Sequence, residues 1–370
     1  MLKFTVLLCG CFVAYVYGDC LSSITKVGGE KAPSTVCSGD LVFQDEFDFL
    51  DFTKWQHENT LTGGGNWEFE WYTNNRTNSY VSDGVLKIVP TLTADHVGEA
   101  GLTSTTVNLY GATEEESCTN NANYGCERSG TPDNILNPIK SARLRTYKSF
   151  HFTYGRVEIR AKMPKGDWIW PAIWMMPRYN AYGGWPTSGE IDISEVRGNA
   201  DLRQNGEQIG VQQHGSTLHW GPSFFANRDS RTHWTKNNAA GWNDDFHVYG
   251  VTWTDQSITF TVDGETIGSV APNTNFWDFG DLANSGYSNP WGTNSRMAPF
   301  DQNFYIILNV AVGGTNYFPD DVVNGNGAKP WENTSGRAST DFWNGRNQWL
   351  PTWDGLNSAL QVDYVRVYAI

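Results

Sequence analysis

The segment Ser188-Gly189-Glu190-Ile191-Asp192-Ile193-Ser194-Glu195-Val196 decides how the rest of this 370-residue sequence is interpreted. Alternate side chains of a β-strand share a face, so Glu190 and Asp192 point one way while the isoleucines point into a core. The same alternation would bury Glu195, and a lone buried carboxylate is costly. The segment therefore predicts a strand with a β-bulge near Ile193-Ser194, which inserts one residue and returns Glu195 to the face of the other acids.

Three aligned carboxylates repel one another, and such repulsion can raise the pKa of one carboxyl while another stays ionised. Two carboxyls about 5 to 5.5 Å apart are what a retaining glycosidase needs, one to attack the anomeric carbon and one to protonate the departing oxygen. Residues two positions apart on a strand lie near that spacing or slightly beyond it. Glu190, Asp192 and Glu195 are thus the candidate catalytic residues. The structural alternative is a solvated acidic face on an amphipathic strand.

Aromatic residues near the acids indicate a sugar ligand, because an indole packs well on the apolar face of a pyranose ring while its N–H bonds a hydroxyl. Trp185 follows two glycines and precedes a proline in the loop that leads into the acidic strand, so we expect it to bind substrate. Trp170 and Trp174 are candidates for the same role, although their tight apolar segment is more typical of a core. Among the histidines, His219 is the one expected at the cleft.

The remaining sequence predicts an all-β fold. Apolar and polar residues alternate along 157–162 and 258–262, and the second run precedes the turn pair Asp263-Gly264, which is typical of antiparallel hairpins. The run Phe304–Val312 is almost continuously apolar, as expected for a central strand covered on both faces, and Leu360–Tyr368 looks similar. Long connections rich in Gly, Asn, Ser and Trp separate the strands, and such loops are usually functional.

Composition excludes several classes of partner. A hydrophobic content of 39% with 18% charged residues, 38 glycines and 17 tryptophans describes a packed, loop-rich globular protein. The net charge of −14 argues against nucleic acid and anionic membranes, since both require a basic surface. A neutral polymer is the better candidate.

Residues 1–18 have the pattern of a secretory signal peptide, with Lys3, an apolar run and a small residue at Gly18. The apolar run is too short for a membrane anchor. Secretion favours two disulfides among the four remaining cysteines. Sequence proximity favours Cys20 with Cys37 and Cys118 with Cys126, although three pairings are open. The cysteine spacing does not suggest zinc, and sequons at Asn75 and Asn333 fit a glycosylated exterior or arise by chance.

The sequence resembles glycoside hydrolase family 16, and within it the animal laminarinases and the invertebrate β-1,3-glucan recognition proteins. The resemblance covers the chain from about Asp40 to its end. It implies a β-jelly-roll, a sandwich of two antiparallel sheets with a concave substrate cleft, in which residues 19–39 form an N-terminal arm and 40–370 the catalytic domain. The segments that carry the resemblance are Asp45–Asp48, Arg76–Val81, Ser141–Arg143, Gly155–Glu158, Trp170–Trp174, Gly189–Glu195 and Leu308–Gly314.

The resemblance also implies roles for the acids: Glu190 as nucleophile, Asp192 as its hydrogen-bonding assistant and Glu195 as acid/base. The five-residue separation of the two glutamates is the bulged form of the family motif, which is associated with laminarinases. Arg76 and Asn78 match positions that line the glycone side of the cleft.

These residues predict endo-hydrolysis of β-1,3-glucan with retention of configuration by a secreted, extracellular monomer. The alternative is a non-catalytic glucan sensor of innate immunity. Sensors of that group commonly replace the catalytic glutamates and carry an additional N-terminal domain, whereas this sequence has Glu190 and Glu195 and too few residues at 19–39 for one. Transglycosylation stays open as a third alternative, since it uses the same covalent intermediate and differs only in that a sugar instead of water is the acceptor. We expect no cofactor, and a structural calcium ion, known in some family members, is left unassigned because no acidic loop has EF-hand spacing.

Overall fold

The computed structural model describes residues 20–111, 113, 116–292 and 295–370, so the predicted signal peptide lies outside the described residues. The strands within these ranges are β1 (Lys26–Gly28), β2 (Leu41–Asp45), β3 (Gln56–His57), β4 (Glu70–Tyr72), β5 (Ser79–Ser82), β6 (Val85–Ile88), β7 (Thr91–Leu92), β8 (Thr106–Asn108), β9 (Glu127–Ser129), β10 (Ile139–Ser141), β11 (Arg143–Arg145), β12 (His151–Thr153), β13 (Gly155–Lys162), β14 (Ile169–Pro177), β15 (Glu190–Val196), β16 (Leu202–Gln204), β17 (Glu207–Gln208), β18 (Gln213–His219), β19 (His233–Asn237), β20 (His247–Trp253), β21 (Ile258–Val262), β22 (Glu265–Val270), β23 (Phe304–Val312), β24 (Val323–Asn324) and β25 (Leu360–Tyr368).

The helices are short and lie in the connections. The α-helices are α1 (Ala94–Val97), α2 (Phe276–Phe279), α3 (Ala338–Asn344) and α4 (Arg346–Trp349). The 3₁₀ turns are Ala100–Thr103, Ala122–Tyr124, Phe224–Ala226, Asp229–Arg231, Leu350–Thr352 and Gly355–Ser358. Within the described part of the chain, no helix is long and apolar enough to cross a membrane.

Two large sheets form a sandwich, as the sequence predicted. The nine-stranded sheet runs β1-β12-β23-β14-β15-β18-β19, with β11 pairing to both β23 and β3. The eight-stranded sheet runs β22-β21-β20-β13-β25-β6-β5, with β2 on β25. The pairs within both sheets are antiparallel. Ile159 and Val365 from one sheet pack with Ile173, Ile191 and Leu308 from the other in one core, which confirms the β-sandwich.

The local predictions agree with this arrangement, with one exception. Strand β13 alternates between buried and half-buried positions, and all nine residues of β23 are buried. The pair Asp263-Gly264 joins β21 to β22 with both residues at left-handed φ angles of 52° and 78°. The prediction that Leu360–Tyr368 is covered on both faces is wrong. Buried and half-buried side chains alternate along most of β25, so one face of this strand packs in the core and its outer face is only partly covered.

A second hydrophobic cluster lies where the long connections meet the end of β23. It contains Phe69, Trp168, Phe318, Trp331 and Phe342. Both favoured disulfide pairings are confirmed, Cys20 with Cys37 and Cys118 with Cys126. The first disulfide closes the segment that contains β1, which pairs with β12 at the edge of the nine-stranded sheet.

Candidate active site

The predicted bulge in β15 is confirmed by the register of its neighbours. Asp192 faces Thr217 and Glu195 faces Gly215, so β15 advances three residues while β18 advances two. The same irregularity occurs against β14. The hydroxyl of Ser216 donates to the carbonyl of Ile193 at 2.7 Å, which supplies a partner to a backbone group displaced by the bulge.

Each acid has an aromatic or imidazole partner. The indole N–H of Trp185 donates to Oε2 of Glu190 at 2.6 Å, and the indole N–H of Trp170 donates to Oε1 of Glu195 at 2.9 Å. His219 Nε2 lies 3.2 Å from Asp192 Oδ2, within ion-pair distance. No aligned hydrogen bond reaches Oδ2 of Asp192 from any described residue. The structure thus brings together six of the predicted site residues.

The electrostatic environment keeps protons on this cluster. Burial raises the pKa of Glu190 well above its ordinary value, and the Asp192 carboxylate adds to the effect. Burial and then Glu195 raise the pKa of Asp192 in the same direction. Burial also raises the pKa of Glu195, although His219, the Trp170 indole and Arg197 oppose it. Because the three carboxyls cannot easily ionise together, one can donate a proton while another stays ionised.

The indole of Trp170 is held in place by a neighbouring tyrosine ring. It stacks on Tyr317 with ring centroids 4.0 Å apart, and the guanidinium of Arg197 lies over the other side of Tyr317 at 4.1 Å. Arg197 also donates to the Tyr317 carbonyl. Trp174 is half-buried, pairs with Asp192 across the strands and donates to Asn309 Oδ1 at 2.6 Å. Trp170 and Trp174 therefore border the acids instead of facing the sandwich core.

Two predicted residues lie elsewhere. Asn78 is completely buried and its amide donates to Val89, Thr91 and Lys140, so the prediction that it contacts substrate is wrong. Its amide instead ties together three segments of chain. Arg76 is exposed and lies beside His57 of β3, four strand positions from β15 and hence roughly 19 Å away across the sheet. Its role on the glycone side stays a prediction.

Aromatic residues beyond the predicted set extend the site. Phe224 lies 5.7 Å from the Trp185 ring and is 63% exposed, and Phe225 beside it is 90% exposed. The signal for these residues is a pair of phenylalanines in a Gly-Pro-Ser loop just after His219, although apolar pairs usually indicate a core. Tyr317 has no comparable sequence signal.

Metal-binding geometry coincides with the acids. Ligand atoms of Glu190, Asp192 and His219 lie within 4.8 Å of one another, and no other such group is found among the described residues. These are the side chains of the candidate active site itself, and the arrangement supplies no separate metal centre.

A β-sandwich that carries paired acids on a bulged inner strand has the architecture of a glycoside hydrolase. The chain belongs to glycosyl hydrolases family 16, whose model matches residues 65–297.

The chain is similar both to glucan-binding proteins and to a laminarinase of known structure. The chain is 51% identical over 337 residues to a β-1,3-glucan-binding protein of Penaeus monodon, covering 89% of this chain and 90% of that protein. It is 35% identical to β-1,3-glucan-binding protein 1 of Manduca sexta, covering 95% of this chain and 68% of that protein. Among solved structures, the laminarinase of Rhodothermus marinus matches with a TM-score of 0.54 at 28% identity, over 90% of this chain and 98% of that one.

Proposed function

We propose that this protein is a secreted endo-β-1,3-glucanase that hydrolyses its substrate with retention. The observation that carries the proposal is the presence of Glu190 and Glu195 on one face of the bulged strand, with Asp192 between them. The similarity to the Rhodothermus marinus laminarinase supports this substrate class. The two disulfides fit an oxidising compartment and thus secretion.

In this mechanism Glu190 attacks the anomeric carbon as Glu195 protonates the leaving oxygen, which gives a covalent glycosyl-enzyme. Glu195 then removes a proton from water, which hydrolyses the intermediate and restores the β-configuration. The indole of Trp185 favours the ionised form of Glu190, since it donates to that carboxylate. Asp192 retains a proton more readily than an isolated aspartate and can share it with Glu190.

Laminarin digestion followed by proton NMR tests this proposal. Internal cleavage should release oligosaccharides whose new reducing ends appear first as the β-anomer. Early appearance of the α-anomer would contradict retention, and release of glucose alone would contradict endo-action.

A second candidate is a glucan-binding protein without catalysis, which the 51% identity to the Penaeus monodon β-1,3-glucan-binding protein favours. The same laminarin incubation separates the two, with Glu190→Gln as the matched control. If wild type and Glu190→Gln both bind laminarin and neither releases new reducing ends, the binding function is the correct one.

A further inference from the structure

A cavity among the described residues is distinct from the acidic strand. It has a volume of about 870 Å³ and lies between the connections 62–69, 124–137 and 333–339. Its lining includes Thr315, in the loop that also carries Tyr317, and Thr315 donates to the carbonyl of Asn66. The cavity thus lies behind the loop that supports Trp170, and its lining contains none of the three acids.

Two exposed aromatic residues line this cavity. Trp67 is 54% exposed and Tyr124 is 77% exposed. Both have left-handed backbones, with φ of 52° and 61°, a conformation that bulky residues rarely adopt. Such unfavourable backbone conformations cluster at ligand-binding sites.

A buried carboxyl also lines this cavity. Glu68 is 6% exposed and lines the cavity, and Asn66 donates to its Oε1, whereas Oε2 has no hydrogen-bond partner among the described residues. A side chain at Gly64 would collide with Oε2, so the glycine-rich connection fits closely against this carboxyl. Burial raises the pKa of Glu68 to about 7, against the effect of Arg143, so the carboxyl can accept or donate near neutral pH.

The remaining polar lining favours a neutral ligand. The cation in the lining, Arg128, is held by Asn137 at 2.5 Å and by the Asn123 carbonyl at 2.6 Å. Glu127 accepts from Asn108. Amide and hydroxyl groups complete the lining, among them those of Asn134, Asn333, Ser335 and Ser339. Aromatic faces beside neutral hydrogen-bonding groups match the alternating apolar faces and hydroxyls of a sugar.

We propose that this cavity is a second carbohydrate-binding site, which holds a short run of β-linked glucose through Trp67, Tyr124 and Glu68. The choice of glucose rests on the proposed function. A second site on the same domain would let one protein hold a polysaccharide at two points, which raises its apparent affinity for long or particulate glucan.

The test is calorimetric titration of laminarihexaose into the Glu190→Gln protein, which cannot consume the ligand. The protein is produced without N-glycans, since Asn333 also lies in a sequon. Two binding events per chain are expected. Trp67→Ala with Tyr124→Ala should leave one event and weaken retention on insoluble β-1,3-glucan about tenfold or more. Trp185→Ala should weaken the other event.

Tyr364→Ala on the outer face of β25 is the matched control and should keep both events. If the double variant fails to fold, Tyr124→Ala and Glu68→Gln replace it, each checked by circular dichroism. A single binding event in the parent protein, or two in the folded variant, would overturn the second site. Laminarin hydrolysis by the unmutated chain is measured separately, so failure of the cavity and failure of the glucanase proposal give different results.

Discussion

Two groups of buried acids, one around Arg143 and one on β15, differ in what neutralises them. Around Arg143 the guanidinium lies 3.6 Å from Glu58 and donates to the Tyr72 hydroxyl, and Arg145 makes a second ion pair with Glu58 at 2.9 Å. Burial raises the pKa of the neighbouring Glu70 to about 8, and Arg143 opposes that rise. This group contains permanent positive charge.

Among the residues that the structure describes, no lysine or arginine is seen to form an ion pair with the acids on β15. A single imidazole, that of His219, lies beside Asp192, and the guanidinium of Arg197 acts on Glu195 from behind Tyr317. Burial therefore raises all three pKa values, and repulsion from a neighbouring carboxylate adds to the rise for Glu190 and Asp192. Arg143 opposes the rise in pKa at Glu68 and Glu70 without cancelling it, so the two groups differ in the permanent cation beside them and not in the direction of the shift. We infer that the arginine pairs of Glu58 serve mainly to hold the structure together, whereas the acids on β15 serve proton transfer.

Removing either glutamate from β15 should give the largest effect. Glu190→Ala should reduce laminarin hydrolysis by about 10⁴-fold or more, since no glycosyl-enzyme can form. Glu195→Ala should lose about 10²- to 10⁴-fold on laminarin but still react with a dinitrophenyl β-laminaribioside, whose leaving group needs no proton. A burst of phenol, with azide accelerating the steady rate to a β-glycosyl azide, is the expected signature. If Glu190→Ala instead showed the burst and the azide effect while Glu195→Ala were inert, the roles of the two glutamates would have to be exchanged.

Arg143→Met tests the balanced group. It should lower the free energy of unfolding by roughly 3–5 kcal/mol, because Glu58 would lose one of its two cations and the buried acids beside it would lose their counter-charge. Arg160→Met is the matched control. Its pair with Asp363 is partly exposed, so the loss should be at most about 1 kcal/mol. Urea unfolding measures both, and equal losses would show that Arg143 has no special role.

Trp185→Ala should weaken transition-state binding by about 1–3 kcal/mol, which is roughly five- to 150-fold in kcat/KM, with a higher KM. Its ring is 39% exposed, so the melting temperature should change little. A large fall in melting temperature with KM unaltered would instead make Trp185 a core residue.

Asp192→Asn should give the smallest effect, a pH-dependent gain in stability. Because folding raises the pKa of Asp192 above 3.8, the folded state binds the proton more tightly and ionisation destabilises it. This loss of stability is absent at pH values below the pKa of Asp192 in the unfolded state. It grows as the pH rises toward the pKa of Asp192 in the folded state. Melting curves at pH 4 and pH 8 should show the variant gaining roughly 1–3 °C on wild type at the higher pH. A gain in melting temperature that occurred only at pH 4 would contradict a raised pKa for Asp192 in the folded state.

The sequence was sufficient to predict the sandwich and the acidic strand because both depend on local alternation. The bulge followed from one argument, that Glu195 could not be buried alone. Phe224 and Tyr317 could not be predicted in the same way, since their positions depend on how separate connections pack on the finished sheet. Asn78 shows the opposite error: a polar residue in a matching segment was assigned to substrate, whereas the fold uses its amide internally.

Deleting a single residue from β15 should have different consequences at different positions of the strand. Ile193 and Ser194 occupy the place of one ordinary residue, and the buried hydroxyl of Ser194 has no hydrogen-bond partner within the described ranges. Loss of Ser194 would restore plain alternation and leave Glu190, Asp192 and the following glutamate on the same side. Loss of Ile191 would instead turn Glu190 toward the opposite face. Deletion of the Ser194 codon is therefore expected to preserve the arrangement of the acids, whereas deletion of the Ile191 codon, three codons upstream, would remove the chemistry of this strand.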